Sequence, residues 1–500
     1  MQTSVSPAVL SPSVRVFDAV RALAFIGDLS MGQPTDHSLR TAWLAAQIAR
    51  EAGLSDADCI AVREASLLRW SGCTANASGI ADALGDDVAG REAMLAARPG
   101  WDDGLKAQGD AAAVIRPLAQ IHCEVSGEVA RMLGLGRETQ ITLRHIFETW
   151  DGTGLPDHLE GSRVPATVFV VALAGDLETL TRVYGLEQAL SLVAQRVNTR
   201  YPARLAELAA RGAHQWFTTL DDDNAAANAA SRNDALVTPM MDRHTTIELI
   251  ADVIDLKLPW MTGYSRAVAR TAADCAAQFS LDAPTRNRLY CAGLIHGIGR
   301  AAVPNTVWNV ETRLSASAWE KVRLVPYWTA RAGSQTGMLA EAAALASFAY
   351  ERADGSGYFR GVAGPGLSLE ARILAASAAW VALRSVRPWR DAMADDEAST
   401  VLREEAANGR WDAEVVDALI SAGTSPRRNA AVNVQSTARL SVREIDVLRA
   451  ISKGASNKEV ARELDLSPST VRTHVENAFR KLECSTRAAA TLKAASMGVL

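Results

Sequence analysis

The chain has 500 residues, 48% of them apolar and 22% charged, with a formal net charge of −5. These values suit a folded protein of roughly three domains and exclude a disordered chain or one that coats nucleic acid along its length. Six cysteines without a C-x-x-C pair exclude a disulfide scaffold and predict reduced thiols in a cytoplasmic protein. The first residues lack the basic-then-apolar pattern of a signal peptide, and the longest apolar runs, 166–175 and 373–383, are too short to span a bilayer.

Alanine is abundant and aromatics are few, so an all-α fold is expected. After a tail over 1–13, residues 14–219 predict one helical domain, with helices near 37–52, 59–70 and 115–133. The stretch ETWDGTGLPDHLEGSRVPATVFVVALAGD follows, a Gly- and Pro-rich structured loop and then a buried helix. Residues 220–239, small and polar, predict a linker. Residues 240–422 repeat the plan. YERADGSGYFRGVAGPGLSLEARILAASA aligns with the earlier loop and helix, which makes the pair a tandem duplication of about two hundred residues per unit, too long for a solenoid repeat. A second linker, 423–437, leads into a terminal module at 438–500.

That module carries its own punctuation. Ser441-x-x-Glu444 and Ser456-x-x-Glu459 are capping boxes, Gly454 ends the first helix, Ser467 precedes Pro468 as an N-cap, and Ser485 or Thr486 caps the last helix. Helices near 457–464 and 468–482 around a turn at 465–466 make a helix-turn-helix. Val460, Ala461, Leu464, Leu466, Val471, Val475, Phe479 and Leu482 recur at helical spacing and predict its core. Thr470, Arg472, Thr473, Asn477 and Arg480 fall on the outward face, short or guanidinium side chains suited to a major groove. Residues 438–500 hold eleven Lys/Arg against seven Asp/Glu, a net +4 on a body of −9, which predicts DNA binding confined to one end.

This stretch closely resembles the LuxR-type DNA-binding domain, matched at Leu440, Ser441, Arg443, Glu444, Gly454, Ser456 to Glu459, Ala461, Ser467, Thr470, Val471, His474, Asn477 and Lys481. The resemblance implies double-stranded DNA as partner, a homodimer paired partly through the fourth helix, base contacts from Arg472 and Thr473, and phosphate contacts from Lys458 and Thr470. Ser469, Glu476, Asn477 and Arg480 complete the expected DNA-binding set. Glu476 departs from the basic or neutral residue common there, so sequence preference is not copied from relatives.

Both repeats resemble the HD-GYP branch of the HD phosphohydrolases, the second most clearly in AGLIHGIGRAAVPNTVW and YERADGSGYFRG. In that family His and Asp side chains hold two or three metals that activate water against a phosphodiester, typically cyclic di-GMP. In the second unit the ligand positions fall on Tyr264, His296, Gly297, Val325, Ala349, Tyr350 and Ala378, so one histidine survives. In the first unit His37 and His122 match, while other positions fall on Arg69, Trp70, Ile146, Phe147 and Gly175. The resulting expectation is two catalytically inactive bundles with no metal and no cofactor, which sense a nucleotide, another small molecule or a partner. His37, His122, Trp150, Asp151, His296, Arg352, Asp354 and Tyr358 are the ligand-pocket candidates. Asp151 and Asp354 also suit simple turn caps, and Arg387-Pro388-Trp389-Arg390 reads as a helix-end packing motif. The fold class expected is therefore all-α: two tandem HD-domain-like bundles and a four-helix LuxR-type helix-turn-helix domain. The function expected is a DNA-binding transcriptional regulator, with a metal-dependent phosphodiesterase or an interaction scaffold as alternatives.

Overall fold

The structure, a computed structural model, describes residues 12–222, 235–334, 336–424 and 440–500. The two expected linkers lie largely outside the described residues, as does the tail up to residue 11. Helices dominate, as the composition predicts; among the described residues the only strands are Ser13–Arg15 and His244–Thr246.

The two helical stretches that align in sequence also share hydrogen-bond patterns. In the first repeat the buried carboxylate of Asp28 accepts from the backbone and hydroxyl of Ser38, ten residues on, at the start of helix His37–Glu51. In the second, Asp255 accepts from the backbone and hydroxyl of Ser265 at the start of helix Tyr264–Gln278. Buried Glu148 accepts from the amides of Asp157 and Leu159, and buried Glu351 accepts from those of Arg360 and Val362. Each glutamate thus pins the glycine-rich loop that follows it. Gly154 and Gly357 lie against the backbone beside these glutamates, where any Cβ would collide.

The repeats do not have separate interiors. One continuous apolar core runs from Val14 through Trp216 to Ile420, and it takes in Ala489 and Leu492 of the terminal module. Ser13–Arg15 pairs antiparallel with His244–Thr246, with Val14 opposite Thr245. Helix Val16–Ser30, apolar on nearly every face, is buried between the units, as an all-round hydrophobic helix must be. A polar bolt crosses the same boundary. Lys257 Nζ donates to Asp87 Oδ2 at 2.5 Å, and the Asn305 amide donates to Asp87 Oδ1 at 2.6 Å. Lys257 and Asp87 are both fully buried.

The terminal module folds as its caps predict. Its helices are Val442–Ser452, Asn457–Glu463, Pro468–Leu482 and Arg487–Ser496, and both capping boxes close. Thr486 rather than Ser485 caps the last helix. Val447, Leu448, Val460, Val471, Ala478 and Ala490 close its small core.

A buried ion pair costs most when one partner is removed, because the other is left charged and unsolvated. Asp87→Ala should therefore destabilise the protein by about 3–5 kcal/mol in chemical unfolding. Asp87→Ala combined with Lys257→Met should regain a large part of that loss. Equal losses in the single and double variants would show that the pair does not bind the units together.

Candidate functional site

In the second repeat, five of the positions where the resemblance places metal ligands line a single cavity of about 420 Å³: Tyr264, Val325, Ala349, Tyr350 and Ala378. Trp260, Trp308, Trp389 and Trp411 complete an aromatic wall, and Arg300, Arg352 and Arg387 are its cations. The sequence candidates Arg352 and Tyr358 line this cavity, with Tyr358 stacked on Tyr350 at 5.2 Å between ring centres. His296 sits behind it. Its Nδ1–H donates to the Gly293 carbonyl at 2.6 Å, and its Nε2 accepts from Arg300 Nη2 at 2.7 Å, which defines a neutral ring. Burial pushes the His296 pKa down to about 3.

Arg300 takes the centre of the old ligand set. Its guanidinium donates to Asp255 at 3.3 Å, to His296, and to the Tyr350 hydroxyl at 3.2 Å, and it lies over the Tyr264 ring. Gly297, standing where the family aspartate would be, leaves the room; a Cβ there would crowd the guanidinium. Burial raises Asp255 to about 6 despite the neighbouring Arg300. Arg387 reaches in from the far wall, over the rings of Trp260 and Tyr264 at about 5 Å. It is only 8% exposed, yet its Nη1 has no hydrogen-bond partner. A buried guanidinium with an open donor, ringed by aromatic faces, has the chemistry to accept an anion beside stacking surfaces.

The metal cluster implied by the HD-GYP resemblance does not fit these residues. Apart from His296, whose ring nitrogens are taken by Gly293 and Arg300, apolar or phenolic side chains stand at its ligand positions, and a fixed positive charge occupies its centre. Among the described residues no group of three or more His, Cys, Asp or Glu is placed to hold a metal.

The first repeat is closed at the corresponding place. His37 is hydrogen-bonded to Glu178, a buried pair that Arg182 and Arg40 also serve, so burial is overcome and Glu178 is held down at about 2. His122 donates to the Arg69 carbonyl at 2.7 Å and packs on Trp70 and Phe147. Arg69 lies over Trp70, in space that Gly175 leaves free. Trp150 is elsewhere, packed on Phe169 beside a separate, mostly apolar cavity of about 530 Å³. Asp151 and Asp354 are exposed and line neither cavity. They accept from Thr153 and Ser356, two residues on, as turn caps do.

In the terminal module Lys458, Ser469, Thr470, Arg472, Thr473, Glu476 and Arg480 are all exposed. Arg472 Nε donates to Glu476 Oε1 at 2.8 Å, and Arg480 donates to half-buried Asn477 at 2.9 Å. Glu476 therefore holds the arginine expected to reach base edges. The pair is solvent-exposed and worth little, so DNA can compete for it.

Residues 248–415 match the HD domain family, and residues 438–494 match the bacterial regulatory proteins, luxR family. The chain thus carries an HD domain followed by a LuxR-family DNA-binding domain. It is 24% identical over 407 residues to the 3′3′-cGAMP-specific phosphodiesterase 3 of Vibrio cholerae, across 75% of this chain and 88% of that protein. It is 27% identical over 226 residues to the cyclic di-GMP phosphodiesterase response regulator RpfG of Xanthomonas campestris, across 44% of this chain and 59% of that protein. A 53-residue stretch is 45% identical to the nitrate/nitrite response regulator protein NarP of Escherichia coli, but spans only 11% of this chain and 25% of that protein. The crystal structure of the Vibrio cholerae cyclic GMP-AMP phosphodiesterase V-cGAP3 superposes with a TM-score of 0.60 at 22% identity, across 83% of this chain and 99% of that one, a likeness of fold.

These relatives correct one expectation. The chain was expected not to be an enzyme because the metal ligands are replaced, yet across three quarters of its length it is similar to a cyclic-dinucleotide phosphodiesterase. A ligand count addresses the metals alone. It is blind to Arg300 and Arg387, which keep the cavity cationic without them. No described helix is long and apolar enough to cross a membrane.

One group in the closed repeat titrates near neutrality. Burial raises Asp28 to about 7, above the ordinary carboxylate range. A carboxyl with a raised folded pKa favours folding while protonated, and that advantage is lost as pH climbs from about 4 through 7. Asp28→Asn should flatten this decline and leave the variant roughly 1–4 kcal/mol better off, relative to wild type, at pH 8 than at pH 4 in urea unfolding. A pH-independent difference between the two proteins would remove Asp28 as the cause.

Proposed function

We propose that the chain is a cyclic-dinucleotide phosphodiesterase of the HD class joined to a DNA-binding module, so that one polypeptide acts on the nucleotide and reads DNA. The observation that carries this is the second-repeat cavity: an unpaired buried guanidinium, Arg387, among aromatic faces, in a chain similar to a 3′3′-cGAMP-specific phosphodiesterase over 407 residues. Phosphate oxygens accept from Arg387 and Arg352, and Trp308, Trp411 and Tyr358 offer faces to the bases. Arg300 supplies a fixed positive field, which stabilises charge developing on a phosphate under attack by water. No metal enters this scheme, in keeping with the side chains present.

The terminal module binds double-stranded DNA through Lys458 and helix Pro468–Leu482. Two copies on two-fold half-sites form the regulatory unit, because one recognition helix covers only a few base pairs.

Full-length protein incubated with 3′3′-cGAMP or cyclic di-GMP, with product followed by ion-exchange chromatography, should yield the linear dinucleotide even with EDTA present. Arg387→Ala should lower kcat/KM about tenfold or more, the loss of roughly one charge-assisted contact of 1.4 kcal/mol. An intact dinucleotide that nonetheless binds by calorimetry would make the unit a ligand-responsive regulator without turnover. No binding at all would overturn the nucleotide reading. Separately, Arg472→Ala should weaken binding to an operator selected from random DNA by about 1–3 kcal/mol more than binding to unselected DNA. Equal losses would make Arg472 a phosphate contact.

A further inference from the structure

Four consecutive residues, Pro259 to Thr262, touch both the cavity and the DNA-binding module. Trp260 and Met261 line the cavity. Pro259 lies against Gly454, where a Cβ would come within 3.2 Å of the proline ring. Thr262 Oγ1 donates to the carbonyl of Ser452 at 2.7 Å, at the end of the module's first helix. The segment is short, with Pro259–Met261 forming one 3₁₀ turn, and Gly263 follows at a positive φ of 77°. Movement of Trp260 therefore carries Thr262 with it.

The same module is docked on the body by its last helix. Ser485 gives its amide and hydroxyl to the Glu124 carboxylate at 2.6 and 2.9 Å, and Lys493 pairs with Glu128 at 3.4 Å. Ala489 and Leu492 are sunk in the body's core. The apolar face of helix Arg487–Ser496 is thus occupied within the chain, and any self-association through that face requires undocking.

We infer that the Pro259–Thr262 turn is a lever linking cavity occupancy to release of the DNA-binding module. Resting on the nucleotide reading above, this names the regulation of the same site. A cavity of about 420 Å³ is at the small end for organic ligands, so a cyclic dinucleotide must displace a wall. The movable wall is Trp260 with Trp389, an edge-to-face pair at 6.1 Å in which Trp389 is half exposed. A phosphate on Arg387 also competes for the guanidinium that Trp260 now covers. Moving Trp260 outward breaks the Thr262–Ser452 bond, and the last helix is freed. By linkage, loosening the dock must in turn favour the ligand.

Hydrogen exchange on the full-length chain, read at 452–455 and 485–496, tests the lever. Trp260→Ala should raise exchange at both segments threefold or more without ligand. Trp411→Phe, a change in the same cavity outside the Pro259–Thr262 turn, should not. Saturating 3′3′-cGAMP should raise the same segments in wild type, and Thr262→Val should tighten its binding at least threefold by calorimetry. Trp260→Phe serves if the alanine variant does not fold. Nucleotide that binds without changing exchange overturns the lever and leaves the nucleotide reading standing. Nucleotide that does not bind overturns that reading, and the lever then stands or falls on the Trp260 variants, being overturned if their exchange matches wild type.

Discussion

A buried guanidinium has to be paid for with partners, and the second repeat is arranged around paying for Arg300. Asp255 lies to one side, neutral His296 accepts on another, the Tyr264 ring covers a face, and Tyr350 accepts on the last. Asp255 simultaneously fixes Ser265 at the start of helix Tyr264–Gln278. That ties the charge to the helix immediately after the Pro259–Met261 turn. The first repeat answers the same problem with Arg69, which lies over Trp70 within the field of buried Asp176. In both repeats an arginine stands where the resemblance places the metal centre. In each the centre carries a fixed positive charge.

The repeats differ in what surrounds that charge, and small changes of volume decide which one is open. Trp70, Ile146 and Phe147 fill the first interior; their counterparts are Gly297, Ala349 and Tyr350. Close packing tolerates few voids, so losing an indole and shrinking an isoleucine to an alanine leaves space that polar and aromatic side chains line rather than fill. The first repeat, closed by its own side chains, serves as a platform. It receives the terminal module on Glu124 and Glu128 and the second repeat through Asp87.

What could be read from sequence was what local chemistry encodes. Both capping boxes, the Ser467–Pro468 start and the helical spacing of apolar residues that builds the module's core depend on neighbours within a few positions, and the structure shows them formed. The lost ligand positions of the second repeat converge on one cavity because a family alignment carries three-dimensional information. Arg300 follows His296 by one helical turn, but a cation is no metal ligand, so no ligand pattern in the sequence includes it. Arg387 and Trp389 looked like helix-end packing, since nothing in Arg-Pro-Trp-Arg reveals that its first residue points across a void. The shared core, the Asp87–Lys257 bolt and the docking of helix Arg487–Ser496 join residues 170 or more positions apart. No periodicity in a single sequence records such pairings.

The strand pair between Val14 and Thr245 also sets an order of events at the ribosome. The first strand leaves the exit tunnel without its partner, and more than two hundred residues must be synthesised before that partner emerges. At about 5–20 residues per second the wait is on the order of ten seconds or more. Helix Val16–Ser30, apolar on almost every face, lacks half its covering for that interval. The apolar face that helix turns toward the second repeat therefore has no partner in the chain until the second repeat is complete.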